Sequence, residues 1–202
     1  MTSELGLRER KKLKTKRALG DIALALFAEK GFDATTVEEI CARAEVSPST
    51  FFRYFPTKEA AAFPDEDGRI AAVEDVLRAR PDGEPWSLTI RRSVMRLIDH
   101  DLDSRKDFRG RIGLMNREPA LAAHAMKTQA AAADRFTRLI ASQMGVDPAA
   151  DFRPRLVVAA AFAAVNSAWS AWLGDQGGRD LRELVNEAFD LLDGGLRTAL
   201  PA

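Results

Sequence analysis

A single cysteine, Cys41, occurs among the 202 residues. This excludes an internal disulfide and any zinc site built on cysteines, and it suits a reducing compartment, so the cytoplasm is the expected location. Histidine is almost as scarce. His100 and His124 are the only two, and neither has a cysteine or a carboxylate cluster near it in sequence, so surface or core is expected rather than a metal. There is no uninterrupted run of about 18 apolar residues, so no segment is expected to span a membrane. The first residues are polar and then basic, without the apolar stretch of a secretory leader. The chain also lacks a G-x-x-x-x-G-K-S/T loop, a G-x-S-x-G elbow and an H-E-x-x-H pair. Phosphate-loop, serine-hydrolase and zincin chemistry are therefore left without their residues. Glu38 and Glu39 are adjacent, point to different helix faces and do not make an acid–base pair. Neither an enzyme nor a cofactor is expected.

Net charge is absent as well, with 30 basic and 30 acidic side chains, but the two signs are unevenly spread. Residues 1–17 hold Arg8, Arg10, Lys11, Lys12, Lys14, Lys16 and Arg17 against Glu4 and Glu9, a local balance of +5. Residues 64–202 hold 19 basic and 21 acidic side chains. A basic arm on a nearly neutral body is the footprint of a protein that meets phosphate at one end, although a solvated tail looks the same. What the chain has in quantity is alanine and leucine, with few β-branched residues and one tyrosine. Hydrophobic residues at 46% and charged ones at 30% describe a globular protein. No alternating pattern of useful length appears, and the fold class is all-α.

In residues 15–30, Leu19, Ile22, Ala23, Leu26 and Phe27 form one helical stripe, and Gly31 stops it. Either Thr15 caps this helix or the helix continues back through the basic arm. A short second helix is expected after Thr36 as cap, with Glu38 and Glu39 near its positive end and Val37, Ile40, Cys41 and Ala44 buried. After a break at Glu45-Val46, Ser47 caps a third helix with Pro48 in its first position, where a missing N–H costs nothing. That helix runs to Phe55, Pro56 ends it, and Thr57 caps the next. Further helices are expected over 57–63, 65–80, 85–103, 105–116, 118–144, 151–174 and 179–199. Gly174, Gly177 and Gly178 lie between two of them and read as a turn.

Two short helices around a tight turn, the second with a Ser-Pro start, make a helix-turn-helix pattern. Its second helix would enter a major groove, placing Ser47, Pro48, Ser49, Thr50 and Arg53 at or near the bases. Phe51 and Phe55 are expected in the core. Phe52 is open between a second core face and an exposed ring meeting the DNA backbone or thymine methyls.

The stretch LFAEKGFDATTVEEICARAEVSPSTFFRYFPTKEA, residues 26–60, resembles the DNA-binding domain of TetR-family regulators. The wording TFFRYFP bears a weaker resemblance to members tied to mycofactocin or acyl-thioester metabolism. The family resemblance implies an N-terminal head over 1–60 and a helical ligand-binding and dimerisation domain over 61–202. It implies phosphate contacts by Thr36, Thr50, Tyr54 and Lys58, with bases read by Pro48, Ser49 and Arg53. Four departures stand out. Glu45 replaces a turn glycine and Ser49 another glycine. Phe52 replaces a tyrosine and loses its hydroxyl, and Tyr54 replaces a histidine and regains one.

A head this small needs a partner to cover a full operator on double-stranded DNA, so a homodimer is expected. In 151–174 a bulky stripe of Val158, Phe162, Val165, Trp169 and Trp172 runs beside a small one of Ala161, Ala164, Ala168 and Ala171. In 179–199, Leu181, Leu184, Val185, Ala188, Leu192 and Leu196 keep helical period. The expected dimer interface is Phe162, Val165, Trp172, Leu181, Leu184, Val185, Ala188 and Leu192; ordinary internal core is the rival. A small-molecule effector is expected in a cavity walled by Met95, Ile98, Leu102, Phe108, Ile112, Met115, Met126, Phe136, Asn166 and Trp169, since methionines adapt to apolar guests. The resemblance implies a ligand-responsive repressor. The alternative is a helical ligand-binding or adaptor protein without sequence-specific DNA binding.

Overall fold

A computed structural model describes residues 6–104, 108–175 and 178–195, without the side chains of 7–10, 100, 103–104, 108–109, 111 and 116. All regular structure among the described residues is helical. In chain order it comprises α1 (Leu7–Lys30), α2 (Val37–Arg43), α3 (Pro48–Tyr54), a 3-10 turn (Glu59–Ala62), α4 (Glu66–Arg78), α5 (Trp86–Ser104), α6 (Phe108–Arg117), α7 (Pro119–Met144), α8 (Arg153–Gly174) and α9 (Leu181–Gly194). Helix α1 takes in the basic arm from Leu7 onward, and Thr15 lies inside it, donating its hydroxyl to the Lys11 carbonyl at 3.0 Å. The helix expected over 57–63 is a four-residue 3-10 turn instead. Residues 105–107, 177 and 196–199, included in expected helices or turns, lie outside the described residues.

The described chain forms two compact units. The first comprises the residues up to Glu66 together with Gly110–Met126, and so extends by packing beyond the linear stretch 1–60. Its core gathers Leu19, Ala23 and Phe27 of α1, Ile40 and Cys41 of α2, Phe51 and Phe55, the 3-10 residues Ala61 and Ala62, and Leu121 of α7. Val37, Ala44 and Val46 pack against it half-buried. Gly20 permits a close approach, because a Cβ there would stand 2.6 Å from both Cβ and Cγ of Pro64. Arg17, counted in the basic arm, binds the buried Asp65 at 2.9 Å.

The second unit is Asp67–Arg109 with the described residues from Lys127 onward. Its core draws on Val73, Leu77, Ile98, Ile140, Val158, Val165, Leu181, Leu184, Val185 and Phe189. Arginine–carboxylate pairs join its helices: Arg91 to Asp190 at 2.6 Å, Arg182 to Asp99 at 2.7 Å and Arg135 to Glu74 at 2.7 Å. Helix α8 has 22 residues and a mean hydropathy of 1.6 in its most apolar window, enough by length and composition alone to cross a membrane, a test that the core helix of a globular protein also passes. Interruption by Asn166 and two serines hid this from a search for an unbroken apolar run. Val158, Ala164, Val165 and Ala168 of α8 are buried, and α9 packs against it.

Candidate nucleic-acid interface

Helix α2 begins with a reciprocal cap. The Thr36 hydroxyl accepts the Glu39 N–H at 3.2 Å, and the Glu39 carboxylate accepts the Thr36 N–H at 2.9 Å. Each bond satisfies a donor that the helix start leaves open. Lys30 at the end of α1 also holds the Glu39 carboxylate, which is pulled down to about 2, by the Lys30 hydrogen bond first and the Thr36 N–H second. Arg43 at the far end of α2 binds Glu29 of α1 at 2.8 Å. The short α2 is thus tied to α1 near both ends. The T-x-x-E spacing of Thr36 and Glu39 was the available signal for this cap; the two ties to α1 have none.

The turn after α2 is a Schellman ending. Val46 donates to the Cys41 carbonyl at 3.0 Å and Glu45 to the Ala42 carbonyl at 3.3 Å, with Glu45 left-handed at φ 52°. Glu45 therefore does occupy the conformation that usually calls for glycine. Helix α3 then starts on Ser47, whose hydroxyl oxygen accepts the Thr50 N–H at 3.2 Å and lies 2.9 Å from the Ser49 hydroxyl. With Pro48 next, this fixes which residues point outward. Phe51 is buried and Phe55 nearly so, their rings 5.5 Å apart. Pro48, Ser49, Phe52 and Arg53 are exposed. Phe52, 53% exposed, stands edge-on to Phe51 at 5.5 Å, so it does not form a second core face. The Arg53 guanidinium lies 5.3 Å from the Tyr54 ring centre.

Of the nine residues expected at DNA, Thr36, Ser47, Pro48, Ser49, Phe52 and Arg53 are exposed, Thr50 is half-buried, and Tyr54 is half-buried and packs against the core. The ninth, Lys58, is committed elsewhere. It precedes the 3-10 turn and donates to the carbonyls of Phe32 at 2.8 Å and Thr35 at 2.9 Å.

The other expected sites fare differently. Of the cavity residues, Ile112, Met115 and Met126 belong to the first unit, where Met115 packs against the core and Met126 is 72% exposed. Met95, Ile98, Leu102, Phe136 and Trp169 belong to the second, with Asn166 exposed; the Phe108 side chain lies outside the description. None of the nine whose side chains are described lines the open groove of about 470 Å³ between α4 and α5, whose walls include Ala71, Ala72, Val76, Arg92 and Arg96. Of the dimer residues, Val165, Leu181, Leu184 and Val185 are buried within the second unit, so the internal-core rival holds for them. Phe162, Trp172 and Ala188 are half-buried, and Leu192 is exposed. Phe162 lies 6.4 Å from the Phe136 ring. His124 stacks on Phe63 at 5.0 Å, while the His100 side chain is outside the description.

A helix-turn-helix with an outward polar and aromatic face, on an otherwise helical chain, defines a DNA-binding regulator. The chain belongs to the TetR family of bacterial regulatory proteins: residues 21–60 match that family's DNA-binding domain, and residues 84–197, more than half the chain, match the MftR C-terminal domain. The HTH-type transcriptional regulator TcmR of Streptomyces glaucescens is 36% identical over 160 residues, 76% of this chain and 71% of that protein. The putative mycofactocin biosynthesis transcriptional regulator MftR of Mycobacterium tuberculosis is 26% identical over 187 residues, 93% of each. The crystal structure of the transcriptional regulator FadR from Bacillus subtilis in complex with stearoyl-CoA has the same fold, with a TM-score of 0.58 at 18% identity over 86% of this chain and 95% of that one. The chain is a DNA-binding transcriptional regulator.

Proposed function

We propose that this chain is a cytoplasmic homodimeric repressor that occupies a near-palindromic operator and leaves it when an apolar effector binds. The observation that carries the reading is the outward face of α3, where Pro48, Ser49, Phe52 and Arg53 stand exposed beside a hydroxyl-rich helix start. Arg53 reads a base, guanine being the best geometric partner for a guanidinium, and Thr36, Thr50 and Tyr54 hold the backbone. The head reads DNA and the remainder of the chain responds to the effector. Two heads bind half-sites about one helical turn apart.

Dimerisation uses the outer face of α8. Phe152, Leu156, Ala159, Ala163, Asn166 and Ser170 are exposed there and follow one another at intervals of three and four residues, the period of a helix–helix seam. Its alanines admit a second helix closely. Leu192, 38% exposed on α9, is the one member of the expected interface set left exposed. The effector is a bulky apolar molecule, with acyl thioesters the class to test first. The stearoyl-CoA held by the structurally similar FadR supports that choice. The effector acts by favouring a state that binds DNA poorly, so it must bind that state more tightly.

The deciding experiment selects bound sequences from a random duplex pool, then titrates the winner by anisotropy with and without long-chain acyl-CoA. A recovered palindrome, bound by a dimer and released by the ligand, is the expected result. Ligands that raise thermal stability yet leave operator affinity unchanged would sink the effector half of the reading.

A further inference from the structure

The segment between α1 and α2 is short of helical hydrogen bonds and is held by side chains. Thr35, buried, donates its hydroxyl to the Gly31 carbonyl at 2.8 Å, and the Phe32 ring packs against Phe27 with centres 5.0 Å apart. Two carbonyls of this segment, those of Phe32 and Thr35, accept from the same ammonium, that of Lys58, at 2.8 and 2.9 Å. The ammonium also sits 4.0 Å from the centre of the Phe32 ring, close enough for the face of the ring to attract it. An ammonium has three N–H donors, and two of them are used here. Lys58 lies 26 and 23 residues along the chain from its two acceptors, with all of α2 and α3 in between.

We infer that Lys58 is a positioning residue for DNA binding: it clamps the start of the helix-turn-helix to its end and so sets Thr36 against the phosphate backbone, without meeting a phosphate itself. The Thr35 carbonyl it holds belongs to the residue just before Thr36, the cap of α2. In this motif the first helix crosses the DNA backbone, so its start must keep a fixed place relative to the reading helix. The carbonyls leave only the third N–H for any other acceptor, and a phosphate that drew Lys58 outward would have to break charge-assisted bonds to two carbonyls and pull the cation off the ring. The inference rests on the reading of Thr36 as a backbone contact.

The test measures affinity of full-length dimers for the operator duplex selected by the wild-type protein, across a range of salt, for Lys58→Met, Lys58→Arg, Thr36→Val and the Lys58→Met/Thr36→Val double variant. Lys58→Met is expected to weaken binding roughly tenfold at every salt concentration, with the wild-type slope of log affinity against log salt. Lys58→Arg is expected to weaken it too, since a planar fork does not fit a site shaped for a point charge, and this variant keeps the charge should Lys58→Met fold poorly. The double variant is expected to bind no worse than Thr36→Val. A slope reduced by about 0.9 in Lys58→Met would make Lys58 a phosphate contact and overturn the inference. Wild-type affinity in Lys58→Met or Lys58→Arg, or full additivity with Thr36→Val, would overturn it as well. Wild-type affinity in Thr36→Val would instead show that the reading of Thr36 is wrong, and the inference would fail with it.

Discussion

Two helix ends, one in each unit, close in the same way on different residues. After α2 in the head, Glu45 at φ 52° and Val46 close a Schellman pair on Ala42 and Cys41. After α7 in the body, Gly145 at φ 66° and Val146 close the same pair on Ser142 and Ala141, at 3.2 and 3.1 Å. The body uses the residue that adopts this conformation without strain. The head uses a glutamate, at a cost of about 1 kcal/mol, and the carboxylate makes no hydrogen bond or ion pair with the described residues to offset it. Both units use caps and arginine–carboxylate pairs. The head adds a reciprocal cap at Thr36 and Glu39 and a lysine clamp. Strain that nothing local repays sits in the turn leading to the reading helix, where position matters more than stability.

Identical substitutions in the two units sharpen the comparison most. Gly20→Ala drives a methyl into the Pro64 ring, whose stiffness leaves little room to yield, whereas a Cβ at Gly174, the last residue of α8, meets nothing within 4 Å. Overpacking costs about 1–3 kcal/mol against a helix-propensity gain of about 1 kcal/mol. Gly20→Ala is therefore expected to destabilise by about 1–2 kcal/mol and Gly174→Ala to be neutral or slightly stabilising. Denaturant unfolding with amide exchange over α1 checks both, and equal effects would break the comparison. Arg53→Ala is expected to lose about 1–3 kcal/mol of operator affinity and to relax preference at one base pair. A uniform loss over all sequences in the same titrations would make Arg53 a phosphate contact.

Exchanging the two turn residues tests the opening contrast itself. Glu45→Gly should gain and Gly145→Ala should lose about 1 kcal/mol, read from urea midpoints. A loss in Glu45→Gly would mean that the carboxylate makes a contact the structure does not show. The smallest effect concerns pH. The Glu39 carboxylate is held near 2, below its ordinary 4.5, so its share of stability is present above pH 4.5 and lost as pH falls toward 2. The group is exposed, so the effect is small. Acid melts of wild type and Glu39→Gln should converge across that window, and a constant gap between them would remove Glu39 as the cause.

Much of the head could be read from the chain because its determinants are local. Thr36 and Ser47 cap the helices that follow them, Pro48 occupies a first turn, and Phe51 and Phe55 share a face four residues apart. The Lys58 clamp was not legible, because it joins residues 23 and 26 positions apart and a lysine before a helix equally suits a phosphate. Gly20 gave no sign either, since its significance lies in Pro64. In the body, period alone shows that Leu184 and Val185 lie on an apolar face. It does not tell whether that face meets the same chain or another, and burial decides for the same chain. The expected cavity residues were chosen by side-chain type, which carries no information on which neighbours they meet.

Cys41 brings a last consequence. It is the only thiol in the chain, 3% exposed on α2, and burial, reinforced by Glu38, pushes its pKa up. Thiolate, the species that reacts with disulfide reagents, therefore forms readily only when the head opens. The labelling rate of an unmodified protein is thus a clock for opening of the head alone, running without any introduced probe. Bound operator should slow that clock, and comparing it with global unfolding would give each unit its own stability.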